Sequence, residues 1–301
     1  MRLLVLVGVV VVVLATPRFA ISAASRRIET VAGDGTPGFS AAQVHDVLGL
    51  VMGPDGALYF SDSGNHVIRR LDLKTHLLST VAGNGKDGTG GDGGPATAAT
   101  LNQPYEIQFD SAGNLYIADT PSHVIRKVDA KTRSIATLAG TGKPGFDGDG
   151  APAVNAQLNR PSGLAFAQDG SLLICDTGNN RIRRIDLRTG LIGTFAGTGE
   201  RKPTPEDAPI QGTPLSAPRT MAVGPNGDIY LALPTAIYRI DMRAQRLRHV
   251  AGKGGDPGLV NYDPVRPRKL ACQRLPVWTH GDAGIMAADA IVTTLPRTGN
   301  S

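Results

Sequence analysis

Three aspartates, Asp62, Asp119 and Asp176, stand 57 residues apart, each closing a short apolar run: ALYFSD, NLYIAD and SLLICD. Four residues after each comes His66, His123 or Asn180. Carboxylates with imidazoles or amides at strand ends could hold a ligand or a metal ion, and these six are the ligand-binding candidates. A catalytic zinc site asks for about three protein ligands and an open position. Two histidines do not make one, and His45, His76, His249 and His280 keep no ligand spacing with them. No Ser-His-Asp or Cys-His order accompanies them, so no catalytic residue is assigned.

Further carboxylates, Asp87, Asp92, Asp147 and Asp149, sit in the Gly-rich stretches KDGTGGDGG and FDGDG. Ca²⁺ takes roughly six to eight oxygen ligands, and Gly-rich turns let carbonyls converge. The D-x-[DN]-x-[DN]-G register of a dedicated loop is absent, however. Asp beside Gly is ordinary turn chemistry, the carboxylate accepting a nearby backbone N–H. No cofactor is therefore expected, and Ca²⁺ is the one ion these loops suggest. The strand-end aspartates invite the same caution, since a residue repeated in every unit is usually one that each unit needs. Their expected partner is the backbone of the turn that comes after them. In the fourth copy the matching residue is Leu233.

The elements that position these residues share the same period. Gly56, Gly113, Gly170, Gly227 and Gly284 are spaced by 57 without a slip. The residues six before them, Leu50, Ile107, Leu164, Met221 and Trp278, are apolar, and so are Met52, Phe109, Phe166 and Val223 four before. Such alternation marks a half-buried strand. Each unit reads as four strands: a, as in IQF at 107–109; b, the run ending in the aspartate; c, as in VIRRLD from 67; and d, as in LLSTVAG from 77. Repeated four-stranded units are the mark of a fold in which each sheet needs its neighbours to bury its faces. The class is all-β.

The pattern GNLYIADTPSHVIRKVD from 113, with copies from 56 and 170, resembles the NHL repeat, and VAGNGKDGTGGDGGPATAATLNQP from 81 resembles the linkers of bacterial secreted NHL proteins. The resemblance implies a β-propeller, most often of six blades in that family. It also implies a range of activities, from ligand-binding and scaffold proteins to related lactonases and lyases that hold a metal in the central channel. IETVAG at 28–33 matches strand d with no a, b or c before it, while the last repeat, 253–301, is degenerate and lacks a d. Joining the two closes a ring and removes exposed sheet edges. The count is then five blades, with six left open by the decayed last repeat.

Residues 1–24 read as a signal peptide, with Arg2, an apolar run from Leu3 to Ala15 and small residues at Ser22–Ala24. Thirteen apolar residues are too few to span a bilayer, which needs about 20 in a helix. A secreted or periplasmic protein of one domain, 25–301, is expected. Loss of Arg2 and Arg18 lowers the formal charge from +5 to about +3, a near-balanced surface. Arg69, Arg70, Arg126, Lys127, Arg183 and Arg184 are expected on a solvated rim, and export argues against nucleic acid. Cys175 lies in an apolar run and is expected in the core; its pairing with Cys272 stays open.

Antiparallel order puts the long d-to-a loops and the b-to-c turns on one side. Long loops on a rigid scaffold are where binding is usually built. The expectation is a monomeric binding or scaffold module for a protein, glycan or small ligand on that face; a metal-dependent hydrolase or lyase of the lactonase type is the alternative.

Overall fold

The computed structural model describes residues 30, 32–38 and 43–252. The signal peptide, the last repeat, Cys272 and the 291–295 partner expected for the closing strand lie outside them. Thr30, Ala32 and Gly33 belong to no strand. The chain divides into two units, Met1–Val31 and Ala32–Ser301, and every described strand lies in the second.

Four antiparallel sheets succeed one another, one per repeat. Blade 1 is β1 (Val47–Met52), β2 (Leu58–Asp62), β3 (Val67–Leu71) and β4 (Leu78–Ala82). Blade 2 is β5 (Pro104–Phe109), β6 (Leu115–Asp119), β7 (Val124–Val128) and β8 (Ile135–Ala139). Blade 3 is β9 (Pro161–Phe166), β10 (Leu172–Asp176), β11 (Arg181–Asp186) and β12 (Leu191–Ala196). Blade 4 has a short β13 (Ala208–Pro209), then β14 (Thr220–Val223), β15 (Ile229–Ala232), β16 (Ala236–Asp241) and β17 (Arg246–Gly252). The first strands of successive blades, β1, β5, β9 and β14, pack side by side, so the sheets stand radially as propeller blades.

The cores lie between blades. Tyr59 and Ile68 of blade 1 bury against Ile107 and Ile117 of blade 2. Tyr116 and Ile125 pack on Leu164 and Ile174, and Leu173 and Cys175 on Met221 and Leu231. Tyr59 meets Phe109 edge to face at 4.8 Å, and Tyr116 meets Phe166 at 5.1 Å, so one aromatic pair spans each of the first two junctions. Such pairs add about 1 kcal/mol beyond the area they bury. The inner strands approach so closely that side chains must be omitted. A Cβ on Gly49 would lie 2.6 Å from the Tyr105 carbonyl, and one on Gly163 the same distance from that of Arg219.

The long loops after blades 1, 2 and 3 have a structural task before any other. Each crosses to the next blade and pairs with the outer edge of its last strand. Gly93 donates to the Ile135 carbonyl, and Ile135 to that of Gly94. Gly150, Ala151 and Ile192 repeat the pattern, and in blade 4 the pairing lengthens into β13 against β17. An uncovered edge strand is a template for association. Ile135, Ile192 and Leu247 beneath these caps are buried.

Three of the arginines expected on the rim lie inside instead. Arg126 and Arg183 are 0% exposed and Arg69 only 5%. Arg126 donates to the Thr89, Gly90 and Thr100 carbonyls and to Asp92 Oδ1, and Arg183 to the Gln157 and Asp147 carbonyls and to Asp149 Oδ1. A guanidinium carries five donors in a fixed fork, enough to gather a whole loop. Asp92 and Asp149 thus anchor to arginine, and a deletion across Lys86–Gly94 would remove both the Asp92 anchor and the cap. Replacing Asp92 with alanine leaves the Arg126 charge without its carboxylate and should cost roughly 3 kcal/mol. Urea unfolding of Asp92→Ala would show it; a change below about 0.5 kcal/mol, as at ordinary surface sites, would contradict the anchoring role.

Candidate functional site

The strand-end aspartates are fully buried. Their backbone partner is not the turn after them but the segment just before the first strand of the same blade. Asp62 accepts from His45 N, Asp119 from Asn102 N and Asp176 from Asn159 N, each at 2.7 Å. Asp62 also receives Asn65 Nδ2 at 2.9 Å and Arg69 Nε at 3.0 Å. Asp176 receives Asn179 Nδ2 at 2.8 Å, with Arg183 Nη1 at 3.6 Å.

His66, His123 and Asn180 adopt left-handed backbone, φ 57°, 58° and 52°. Each reaches the next blade. His66 Nδ1 accepts from Gln103 N at 3.2 Å, His123 Nδ1 from Arg160 N at 3.0 Å, and Asn180 Oδ1 from Ala217 N at 2.9 Å. An accepting Nδ1 requires the neutral imidazole with its proton on Nε2. Burial, with Arg160 adding to it, holds His123 below the usual histidine range, which favours that form. The aspartates thus fasten each blade internally, and the other three fasten it to its neighbour.

The fourth blade shows what the pairing requires. Leu233 stands where the others have Asp, and Tyr238 where they have Arg. The Tyr238 hydroxyl donates to the Thr204 carbonyl at 2.6 Å. Both charges vanish together, which avoids burying one alone. Asn180, at the junction with this blade, keeps its bond.

Sequence reasoning missed the axial residues. Gly49, Glu106, Gly163 and Thr220 occupy equivalent places on the innermost strands. Glu106 extends past Gly163, which offers no side chain, and its Oε2 lies 3.2 Å from Thr220 Oγ1. Burial, with the Glu106 charge adding to it, pushes the Cys175 thiol up. The period of 57 was the available signal: one copy carries an acid where two carry glycine. Among the described residues no group of three or more His, Cys, Asp and Glu side chains is placed to hold a metal ion.

A second ring is built by the latches. Asp46, Gln103, Arg160 and Ala217, just before the innermost strands, share left-handed backbone with φ 52°, 44°, 51° and 46°. The last three are held by the bonds from His66, His123 and Asn180. Asp46, Gln103 and Arg160 are exposed. Nearby, on the same loop face, Arg181 lies over the half-exposed Phe146 ring at 3.6 Å.

A propeller whose blades are fastened by repeated strand-end acids is what fold and site together define. Residues 158–185, from the lead-in of β9 to the end of β11, match the NHL repeat model. The chain thus carries an NHL repeat and is similar to NHL repeat-containing proteins. It is 37% identical over 168 residues to Suppressor of quenching 1 of Arabidopsis thaliana, covering 52% of this chain and 16% of that protein. It is 32% identical over 149 residues to NHL repeat-containing protein 2 of Homo sapiens, covering 47% and 20%. It thus spans about a fifth or less of either relative. To a gluconolactonase of Zymomonas mobilis it is 23% identical over 220 residues, covering 69% of this chain and 55% of that protein.

Blade 2 carries one defect that titration can read. Ser122 takes the place of Asn65 and Asn179, and neither its hydroxyl nor Asp119 Oδ2 makes a hydrogen bond. Burial pushes Asp119 up to about 7, against about 6 for Asp176 with its asparagine. A carboxyl whose folded pKa is raised binds more protons folded than unfolded between its ordinary value near 4 and 7, so stability falls as pH rises through that window. Supplying the donor with Ser122→Asn should lower the Asp119 pKa and stabilise the protein by about 1 kcal/mol at pH 8, with a smaller gain at pH 4. Denaturation at the two pH values tests this; an equal effect at both would contradict it.

Proposed function

We propose that this chain is a binding module that recognises a polar ligand, a protein loop or a glycan, at the mouth ringed by Asp46, Gln103 and Arg160. The observation that carries the reading is the division of labour at that ring. The backbone is held alike from blade to blade, while the side chains it displays are an acid, an amide and a guanidinium. Rigid display of differing polar groups supports recognition with little ordering cost on binding. Phe146 beneath Arg181 adds the aromatic and arginine chemistry that dominates binding energy at interfaces. The longer relatives fit a module that works as part of a larger protein. The apolar run at 3–15 supports export to the periplasm or the exterior, where the module would act as a monomer.

Substitutions at the mouth should separate binding from folding. Gln103→Ala and Arg160→Ala keep the backbone N–H that each latch uses. On a panel of immobilised glycans and peptides, the double variant should lose at least tenfold in affinity for whatever the wild type retains, with an unchanged melting temperature. Undiminished binding by the double variant would move the site elsewhere.

The second reading is hydrolysis in the central channel, favoured by Glu106 on the axis and by the likeness to a gluconolactonase. A carboxylate there could act as a metal ligand or a general base. Gluconolactone turnover that tracks stoichiometric bound metal and disappears in Glu106→Gln would establish it. A metal-free protein without turnover would leave the binding reading in place.

A further inference from the structure

Blades 2, 3 and 4 each have a covered outer edge, and the covering segments share a pattern. Gly93, Gly150 and Asp207 adopt left-handed backbone, φ 81°, 83° and 49°. A small residue comes next (Gly94, Ala151, Ala208), then proline (Pro95, Pro152, Pro209), then an apolar residue (Ala96, Ala153, Ile210). Each segment runs antiparallel to the strand it covers. Proline fits because its missing N–H would face away from the ladder at an outermost strand.

Blade 1 has no such cover among the described residues: β4 ends its sheet. The loop that leads into the blade is too short to supply one. Its two fixed points are the Gly38 carbonyl, bonded by Asn65, and His45 N, bonded to Asp62. Their counterparts in blade 3 are the Gly145 carbonyl, bonded by Asn179, and Asn159 N, bonded to Asp176. Fourteen steps of chain separate the blade 3 points and only seven the blade 1 points. Seven steps reach at most about 25 Å. Crossing from the second strand to beyond the fourth and returning covers three strand spacings each way, about 29 Å. The missing residues correspond to the capping segment.

The edge left behind suits the same kind of segment. Leu78, the counterpart of Ile135 and Ile192, is only half-buried, and Leu77 beside it is 68% exposed. The strand LSTVA carries no charge, proline or other device that discourages pairing. We propose that the outer edge of β4 is a docking site for an extended segment of a partner protein, antiparallel to β4 and of the type glycine–small–proline–apolar. This is strand addition, in which main-chain bonds give affinity and a small side-chain pattern gives selectivity. The chemistry of the occupant is read from three edges of the same molecule where the chain supplies it itself.

The probe is a labelled peptide with the sequence of residues 89–99, TGGDGGPATAA, titrated into the full chain and monitored by fluorescence polarisation. Saturable binding is expected. Leu78→Pro removes the outward N–H without touching the pairing to β3 and should weaken binding at least tenfold. A second variant, in which the 38–45 loop is replaced by the 145–159 loop of blade 3, carries its own cap. It should abolish binding while raising the melting temperature. Absence of saturable binding, or binding that both variants retain, would overturn the proposal. So would a wild-type dimer that Leu78→Pro converts to monomer, because the occupant would then be a second copy of the chain.

Discussion

One constraint governs the structure: a sheet with two apolar faces cannot stand alone, so each blade is folded only to the extent that its neighbours are held against it. Apolar contact supplies most of the adhesion, yet it is non-directional and does not fix how far a blade has turned about the axis. Direction comes from hydrogen bonds that begin in one blade and end in another. The Nδ1 of His66 and of His123 and the Oδ1 of Asn180 point each blade at the first strand of the next. The strand-end aspartates fix that first strand within its own sheet. Remove either and the blades have contact without register.

The buried arginines extend the same logic to the loops. A loop of fourteen or more residues costs conformational entropy to order, and Arg126 and Arg183 offset it by gathering several carbonyls and one carboxylate each. Once gathered, the loop closes the edge of the blade. The Asp92 and Asp149 carboxylates and the strand-end aspartates are therefore engaged in holding the blades. What remains for recognition is the set of residues the repeat does not require, and these differ between blades.

The period of 57 made the class, the four strands of each repeat and the buried face of the first strands of blades 2, 3 and 4 readable in advance, while Leu50 and Met52, expected on the same face of blade 1, are exposed. The d strand beginning at Arg246 and the core placement of Cys175 also agree with the structure. Arg69, Arg126 and Arg183 were misread because adjacent basic residues on strand c look alike in sequence. Burial separates them: the pleat turns Arg70 and Arg184 to solvent and their neighbours inward. The left-handed backbone at Gln103 and Arg160 had no sequence signal, since neither residue type prefers it; the latch imposes it. The axial Glu106 was visible only as a departure from glycine, and departures draw less notice than repeats.

Holding the blades in place is the role that their hydrogen bonds give the repeated polar residues. The most direct test of this role is the unfolding free energy of Asp176→Ala, measured by denaturant titration at pH 7. Loss of this carboxylate leaves Asn159 N–H and one N–H of the Asn179 amide without an acceptor inside the protein, and takes away the acid 3.6 Å from Arg183 Nη1. A cooperative transition destabilised by about 3 kcal/mol is predicted. Binding sites are commonly held at a cost to stability, so unchanged or increased stability in Asp176→Ala would contradict the account and return the strand-end acids to the role of ligand contacts.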